Sequence, residues 1–176
     1  MIRRMRLPAL VVPVLLAAVV ALPSVACKRL AERAAEKAVE KAIEKQTGGQ
    51  VSINGQKGTM TVVTDAGEIM IGPSATIPAD FPKDVPLYPG AKPQLAVKQA
   101  DPKGKITWQL NLETADPTAK ITDYYKANSA GLTLETTFDM GTSATRIYQS
   151  PKYQVTLMIG AASGGMTSIS ESVSQK

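Results

Sequence analysis

Few residue types in this chain can do acid–base or nucleophilic chemistry. The 176 residues include no histidine and a single cysteine, so the commonest general base is missing. A serine nucleophile would then need a lysine or a carboxylate as its base, and no Ser-x-x-Lys motif occurs. Asp80 with Asp84, and Asp116 with Asp123, are close enough in sequence to pair, but such aspartates are typical of turns and helix caps. We therefore predict no catalytic residues and expect a protein that is not an enzyme.

Cofactor and metal sites have equally little support. Residues 160–167 have the glycines of a phosphate-binding loop, but Met166 occupies the place of the lysine that contacts the phosphates. One cysteine excludes a cysteine-based zinc site and an internal disulfide. The turns at 54–55 and 65–67 lack the alternating oxygen ligands of a calcium loop. The sequence predicts no cofactor and no metal.

The first 26 residues have the three parts of an export signal. Three arginines precede an uncharged run at 7–26, which ends in small residues. This run is also long enough to cross a bilayer as an uncleaved helix. That alternative stays open, although Pro8 and Pro13 disfavour a regular helix.

A cysteine follows this segment directly. Residues 24–27, Ser-Val-Ala-Cys, resemble the lipobox of bacterial lipoproteins, although that family prefers leucine where Ser24 stands. The resemblance implies that Cys27 carries lipid and begins the mature protein, and that Lys28 directs it to the outer membrane, facing the periplasm. Stable anchoring needs more than one acyl chain. The alternatives are an inner-membrane anchor through the uncleaved helix, and a free thiol, which is unusual in an oxidising compartment.

The net charge of +5 does not indicate nucleic-acid binding. Three of the 20 basic residues lie in the leader, which leaves 17 against 15 acidic ones. Phosphate recognition needs clustered lysines and arginines, whereas these are scattered or stand beside glutamates. The expected partners are the membrane, through the lipid anchor, and an envelope protein.

A four-residue repeat at 31–46 predicts a charged helix in the segment 27–49. Alanine, glutamate and lysine are strong helix formers, and Gly48-Gly49 ends the pattern. Apart from Val39 and Ile43 its apolar face is mostly alanine, which buries little area per turn. We expect a spacer helix and a monomeric protein, with an oligomerisation helix as the alternative.

Two further segments precede the main folded part. Residues 50–72 alternate between apolar and polar residues around an Asn-Gly turn, and they predict a small β meander. Residues 73–93 hold six of the 12 prolines and predict a semi-rigid linker. Its larger apolar side chains predict that it lies along the next domain: Phe81, Val85, Leu87 and Tyr88.

The last part, 94–176, predicts an α+β domain with one helix packed on an antiparallel sheet. Alternation at 106–112 indicates a strand with one buried face, and Asp116-Pro117 predicts the start of a helix at 117–130. Apolar alternation after Gly131 predicts three more strands. The predicted order is β-β-α-β-β-β, with one further strand around 146–149 left open.

This part also carries a resemblance. Tyr88-Pro89-Gly90-Ala91, then a helix with Tyr124-Tyr125, then Gly131-Leu132 resemble a recurring module of exported bacterial lipoproteins, over about residues 80–160. The family has proline-glycine-alanine, a helix ending in phenylalanine-tyrosine, and glycine-tryptophan. Tyr124 replaces its phenylalanine and Leu132 its tryptophan. The resemblance implies a fold and no particular activity.

These observations predict a cell-envelope lipoprotein with a non-catalytic interaction or structural role. The main alternative is a small-ligand carrier with its pocket between helix 117–130 and the sheet, where Trp108, Tyr124 and Phe138 are the candidate groove residues. The third hypothesis is an enzyme of unknown type. Trp108 lies on the alternating apolar face, which favours core packing over ligand contact. A deep pocket lined by Trp108, Tyr124 and Phe138 would favour the carrier. A filled core with a flat exposed sheet would favour the structural role.

Overall fold

The computed structural model describes residues 25–176, with the side chains of residues 31–176. In this part of the chain, helices α1 (Val25–Thr47) and α2 (Thr118–Asn128) accompany nine strands. The strands are β1 (Gln50–Asn54), β2 (Thr59–Thr64), β3 (Gly67–Ile71), β4 (Lys92–Ala100), β5 (Ile106–Thr114), β6 (Thr133–Met140), β7 (Ser143–Gln149), β8 (Tyr153–Ala161) and β9 (Thr167–Gln175). The predicted signal segment, up to residue 24, and the side chain of Cys27 lie outside the described residues. No helix within 25–176 is both long and apolar enough to cross a membrane.

The strands form one antiparallel sheet in the order β1-β2-β3-β4-β5-β9-β8-β7-β6. Each strand pairs with its neighbour in sequence until β5, which pairs with β9 because α2 carries the chain across to the far edge at β6. The edge strands are therefore β1 and β6. Pairing of β3 with β4, Gly67 against Gln99 through Ile71 against Leu95, joins the meander 50–72 to the domain 94–176.

One face of the sheet, called the packed face below, carries the main core. Alternate residues of β5, β8 and β9 point to it, and Leu110, Leu157 and Ile169 are at most 1% exposed. Ile121 and Tyr125 of α2 belong to the same apolar cluster. Burying each such aliphatic side chain stabilises the fold by about 1.5–3 kcal/mol. The predicted buried face of the strand at 106–112 is thus confirmed.

The proline-rich segment 73–93, called the strap below, lies on the packed face as predicted. Phe81, Val85 and Tyr88 are 7%, 4% and 6% exposed and contact the core cluster. Its prolines restrict the unfolded chain, which lowers the entropy lost on folding. The strap is therefore part of the folded domain rather than a tether between two domains.

The start of α2 differs in detail from the prediction. Pro117 occupies the N-cap position, and no side chain caps the first turn. Asp116, the predicted cap, accepts hydrogen bonds from the Tyr88 hydroxyl at 2.7 Å and from the Lys120 ammonium at 2.8 Å. A charged donor makes the stronger bond, so this carboxylate ties the strap to α2. After α2 ends, Gly131 has φ +91°, which glycine adopts readily.

The fold is α+β with an antiparallel sheet, as predicted, but the helix is followed by four strands rather than three. The strand left open around 146–149 is β7. Its packed-face residues are Ala144, Arg146 and Tyr148, so the aliphatic alternation that marks the other strands is missing. The order from β4 onward is β-β-α-β-β-β-β.

Candidate functional site

The three residues of the predicted ligand groove are not brought together. Trp108 is 2% exposed and lies beneath the strap. Its ring packs edge-to-face against the rings of Phe81 and Tyr153, with centroid distances of 6.4 and 6.3 Å. Its Nε1–H lies 3.5 Å from Asp80. Aromatic neighbours fill the space around this indole, so it is a core residue.

Tyr124 is also part of the packing. Its ring packs edge-to-face against the ring of Tyr88, with the centroids 5.2 Å apart. Its hydroxyl donates a hydrogen bond to the Leu87 carbonyl at 2.9 Å. Phe138 is 62% exposed on β6. It shares a face with Thr145 and Met158, opposite the core. The groove expected from these three residues is therefore not formed.

A different groove does lie between α2 and β7. Its volume is about 240 Å³, and Thr122, Asp123 and Lys126 of α2 face Asp139 and Arg146 across it. Arg146 binds Asp139 at 2.6 Å and the Thr145 carbonyl at 2.9 Å. Since both carboxylate and guanidinium are engaged, the groove offers little free charge to a ligand.

The structure gives the four aspartates of the two candidate acid–base pairs other partners. Each carboxylate binds a lysine: Asp80 binds Lys98 at 2.7 Å, Asp84 Lys152 at 3.8 Å, Asp116 Lys120 at 2.8 Å and Asp123 Lys126 at 4.0 Å. The hydrogen bond from Lys98 lowers the pKa of Asp80, and that from Lys120 lowers the pKa of Asp116. Asp80 and Asp116 therefore stay ionised at neutral pH, which suits ion pairing rather than proton donation.

Sequence reasoning missed a buried polar group beneath α2. Glu171 of β9 is 1% exposed, and its Oε2 accepts a hydrogen bond from the Tyr125 hydroxyl at 3.1 Å. Burial raises the pKa of Glu171 to about 8. Its Oε1 has no partner among the described residues. Within the same part of the chain, no three residues form a cluster that could hold a metal ion.

The β1 edge of the sheet is closed by α1. Carboxylates spaced four residues apart along one side of the helix accept hydrogen bonds from alternate backbone N–H groups of the edge. Glu44 binds Val51 at 3.1 Å, Glu40 binds Ile53 at 2.6 Å and Glu36 binds Gly55 at 2.9 Å. The helix predicted as a spacer therefore packs along the sheet from Glu36 to its end.

The β6 edge has no such cover. All eight residues of β6 are exposed, and among the described strands β6 pairs only with β7. Phe138 and Met140 are 62% and 66% exposed, and Met158 on the same face is 55% exposed. A bare edge with apolar side chains is where additional strands attach to sheets.

The face opposite the core, called the open face below, changes character across the sheet. On β1 to β4 the registered row is Val51, Val62, Ile69 and Val97. On β5, β9 and β8 it continues with Gln109, Ser172 and Thr156. This row is apolar on β1 to β4, where Val51, Val62 and Val97 are buried, and polar on β5, β9 and β8. The exposed Phe138 and Met140 of β6 lie at the far edge of the same face.

Comparison of the chain with family models, with curated proteins and with solved structures yields no match.

Proposed function

We propose that this protein is a lipid-anchored component of the bacterial cell envelope with a non-catalytic interaction role. The lipid is carried by Cys27 in the outer membrane, facing the periplasm. The folded domain holds one sheet edge toward the anchor and offers the other to a protein partner. The observation that carries the proposal is the difference between the two edges.

The sequence and helix α1 support a lipid anchor at the β1 end of the sheet. The export signal and the lipobox-like residues end at Cys27, which is the third residue of α1. From Glu36 to Glu44 the helix is hydrogen-bonded to β1. A lipid on Cys27 would therefore connect to the sheet through a helix that is packed against it for its second half.

The β6 edge, proposed to bind the partner, is exposed and lies far from the anchor. Eight strand spacings of about 4.8 Å separate β1 from β6, or roughly 38 Å in a flat sheet. The residues of the core cluster between them are at most 7% exposed, and the predicted aromatic groove does not form. A buried core with a free edge far from the anchor supports a binding module rather than a carrier or an enzyme.

Membrane fractionation together with native mass spectrometry tests the proposal. Wild-type protein should be recovered with outer membranes, and Cys27→Ser should leave that fraction because the acyl chains provide the hydrophobic attachment. Protein released by mild detergent should carry no small molecule at fixed stoichiometry. A membrane-bound Cys27→Ser protein would contradict the anchor, and a stoichiometric small-molecule adduct would favour a carrier.

A further inference from the structure

The outer side of the edge strand β6 is paired with no described element. We infer that β6 binds an extended, basic segment of another envelope protein, which joins the sheet as a tenth strand. This inference rests on the proposed interaction role and specifies the site and the partner chemistry.

The two edges of the sheet differ in their free backbone groups. An edge strand presents unpaired N–H and C=O groups on its outer side, which an extended segment can pair with. On β1 the outward N–H groups of Val51 and Ile53 are bound by Glu44 and Glu40. On β6 no backbone N–H is bonded to a side chain of the described residues, although the carbonyls of Phe138 and Met140 accept bonds from Arg146 at 3.4 Å and from Ser143 at 3.3 Å. The fold therefore occupies the N–H groups of one edge and leaves those of the other available.

The length of regular strand on β6 limits the length of the segment that can bind. A bulge interrupts the register between Leu134 and Thr136, and from Thr136 to Met140 the pairing with β7 is continuous. Bulges and twists are one way in which edges are protected from addition. The remaining five-residue stretch is regular, so the binding segment is short.

Apolar side chains beside the β6 edge lie on the open face. Phe138 and Met140 point to the open face, because they are registered with Thr145 and Ser143 of β7. Met158 is registered with Thr145 from the other side. An incoming strand places alternate side chains beside Phe138 and Met140, so apolar residues at those positions would bury surface that is now exposed.

The charged side chains near β6 indicate which kind of segment can bind. In the hairpin 133–149 the exposed charged side chains, Glu135 and Asp139, are both acidic. The single cation, Arg146, is 1% exposed and neutralises Asp139 through their 2.6 Å ion pair, so Glu135 carries the remaining negative charge of the hairpin. A second copy of this chain would bring a hairpin of the same negative charge to the edge, which opposes self-pairing, whereas a lysine or arginine beside Glu135 would be attracted. The charge pattern therefore favours a basic segment over a second copy.

The test uses the full-length, lipidated protein solubilised in detergent and a fluorescent peptide of alternating valine and lysine, blocked at both ends. A peptide of about eight residues spans β6 at roughly 3.3 Å per residue. We expect saturable binding, about tenfold weaker when every lysine is replaced by glutamate. Methylating the peptide nitrogens that would face β6 should abolish binding, because no ladder can form. This arm leaves the protein unchanged.

Protein variants locate the site. Phe138→Thr combined with Met140→Thr keeps strand-forming residues and should weaken binding about tenfold by removing apolar contacts. The matched control is Val63→Thr on β2, where the valine is 44% exposed, and its affinity should be unchanged. Hydrogen exchange should show new protection in 136–140 on binding.

Three results would overturn the inference. These are equal binding of the lysine and glutamate peptides, unchanged affinity of the double variant, and new protection confined to other strands. A dimer that Phe138→Thr dissociates would show that the occupant is a second copy. If peptide binding holds but the protein is not anchored at Cys27, only the anchoring part of the proposed function fails. If anchoring holds without peptide binding, this inference alone fails.

Discussion

The Tyr125 hydroxyl donates a 3.1 Å hydrogen bond to the carboxyl group of Glu171 beneath α2. Burial raises the pKa of Glu171 to about 8, although the bond from Tyr125 acts in the opposite direction. Burial, and next the nearby Glu171, raise the pKa of Tyr125 well above its ordinary value. Near neutral pH the pair is therefore mainly an uncharged hydrogen bond in the core.

Stability should fall as pH rises from about 4.5 to about 8. In this range folded Glu171 keeps a proton that the unfolded chain releases near the ordinary value of 4.5, so rising pH favours unfolding. The contribution is fully present below that range and lost above it. Asp80 and Asp116, whose pKa values are lowered from 3.8, contribute the opposite slope at lower pH.

The variant Glu171→Gln isolates this effect. Glutamine keeps the size and an acceptor oxygen but cannot ionise, so its urea midpoint should vary less between pH 5 and 8 and exceed the wild-type midpoint at pH 8. A wild-type midpoint that rises across this range, or the same slope in both proteins, would refute a neutral Glu171.

Removal of one carboxylate from the β1 edge should loosen that edge locally. Glu40→Ala deletes the 2.6 Å bond to the Ile53 N–H, at a cost of about 1 kcal/mol, and the Ile53 amide should exchange faster by NMR. Glu32→Ala is the matched control, since Glu32 lies two turns earlier in the same column and, within residues 31–176, binds no backbone N–H. Equal exchange at Ile53 in both variants would show that the helix does not protect the edge.

Exposure separates Trp108 and Phe138, two of the three residues of the predicted groove. Trp108→Ala should cost about 3–5 kcal/mol in the free energy of unfolding, the usual range for a buried large aromatic. Phe138→Ala, at 62% exposure, should change it by less than about 1 kcal/mol. Urea denaturation measures both. A loss below about 1 kcal/mol for Trp108→Ala would mean that the indole is not held in the core.

The strap should depend on one hydroxyl. Tyr88→Phe removes the bond to Asp116 and should destabilise the protein by about 1 kcal/mol. Tyr148→Phe is the control, because the buried Tyr148 hydroxyl has no partner among the described residues, so its removal should be neutral or stabilising. The account of the strap fails if the two variants are equally stable.

Alternation predicted which residues of β5 share a face, but on β6 a bulge breaks the alternation. On β5 the apolar residues around Trp108 are buried, as expected, because α2 and the strap lie over the centre of the sheet. On β6 the apolar residues Leu134, Phe138 and Met140 also follow an alternating pattern, but the bulge after Leu134 places the last two on the opposite face from it. The three are 45%, 62% and 66% exposed. β6 lies at the edge, and those last two face away from the core.

The polar features depend on contacts that are distant in sequence. The glutamate repeat of α1 is equally compatible with a solvated helix, and its bonds to β1 span seven, 13 and 19 residues. They form because the chain reverses at Gly48, where φ is +67°. Glu171 lies at a position where alternation predicts an apolar residue, and its partner Tyr125 is 46 residues earlier.

The intact mass of the protein extracted from membranes tests the central claim most directly. The account predicts a chain that begins at Cys27 and carries the additional mass of acyl chains, and that is absent from the membranes of the Cys27→Ser strain. A mass equal to the unmodified 176-residue chain, still in the membrane, would contradict the lipid anchor and identify residues 7–26 as the attachment.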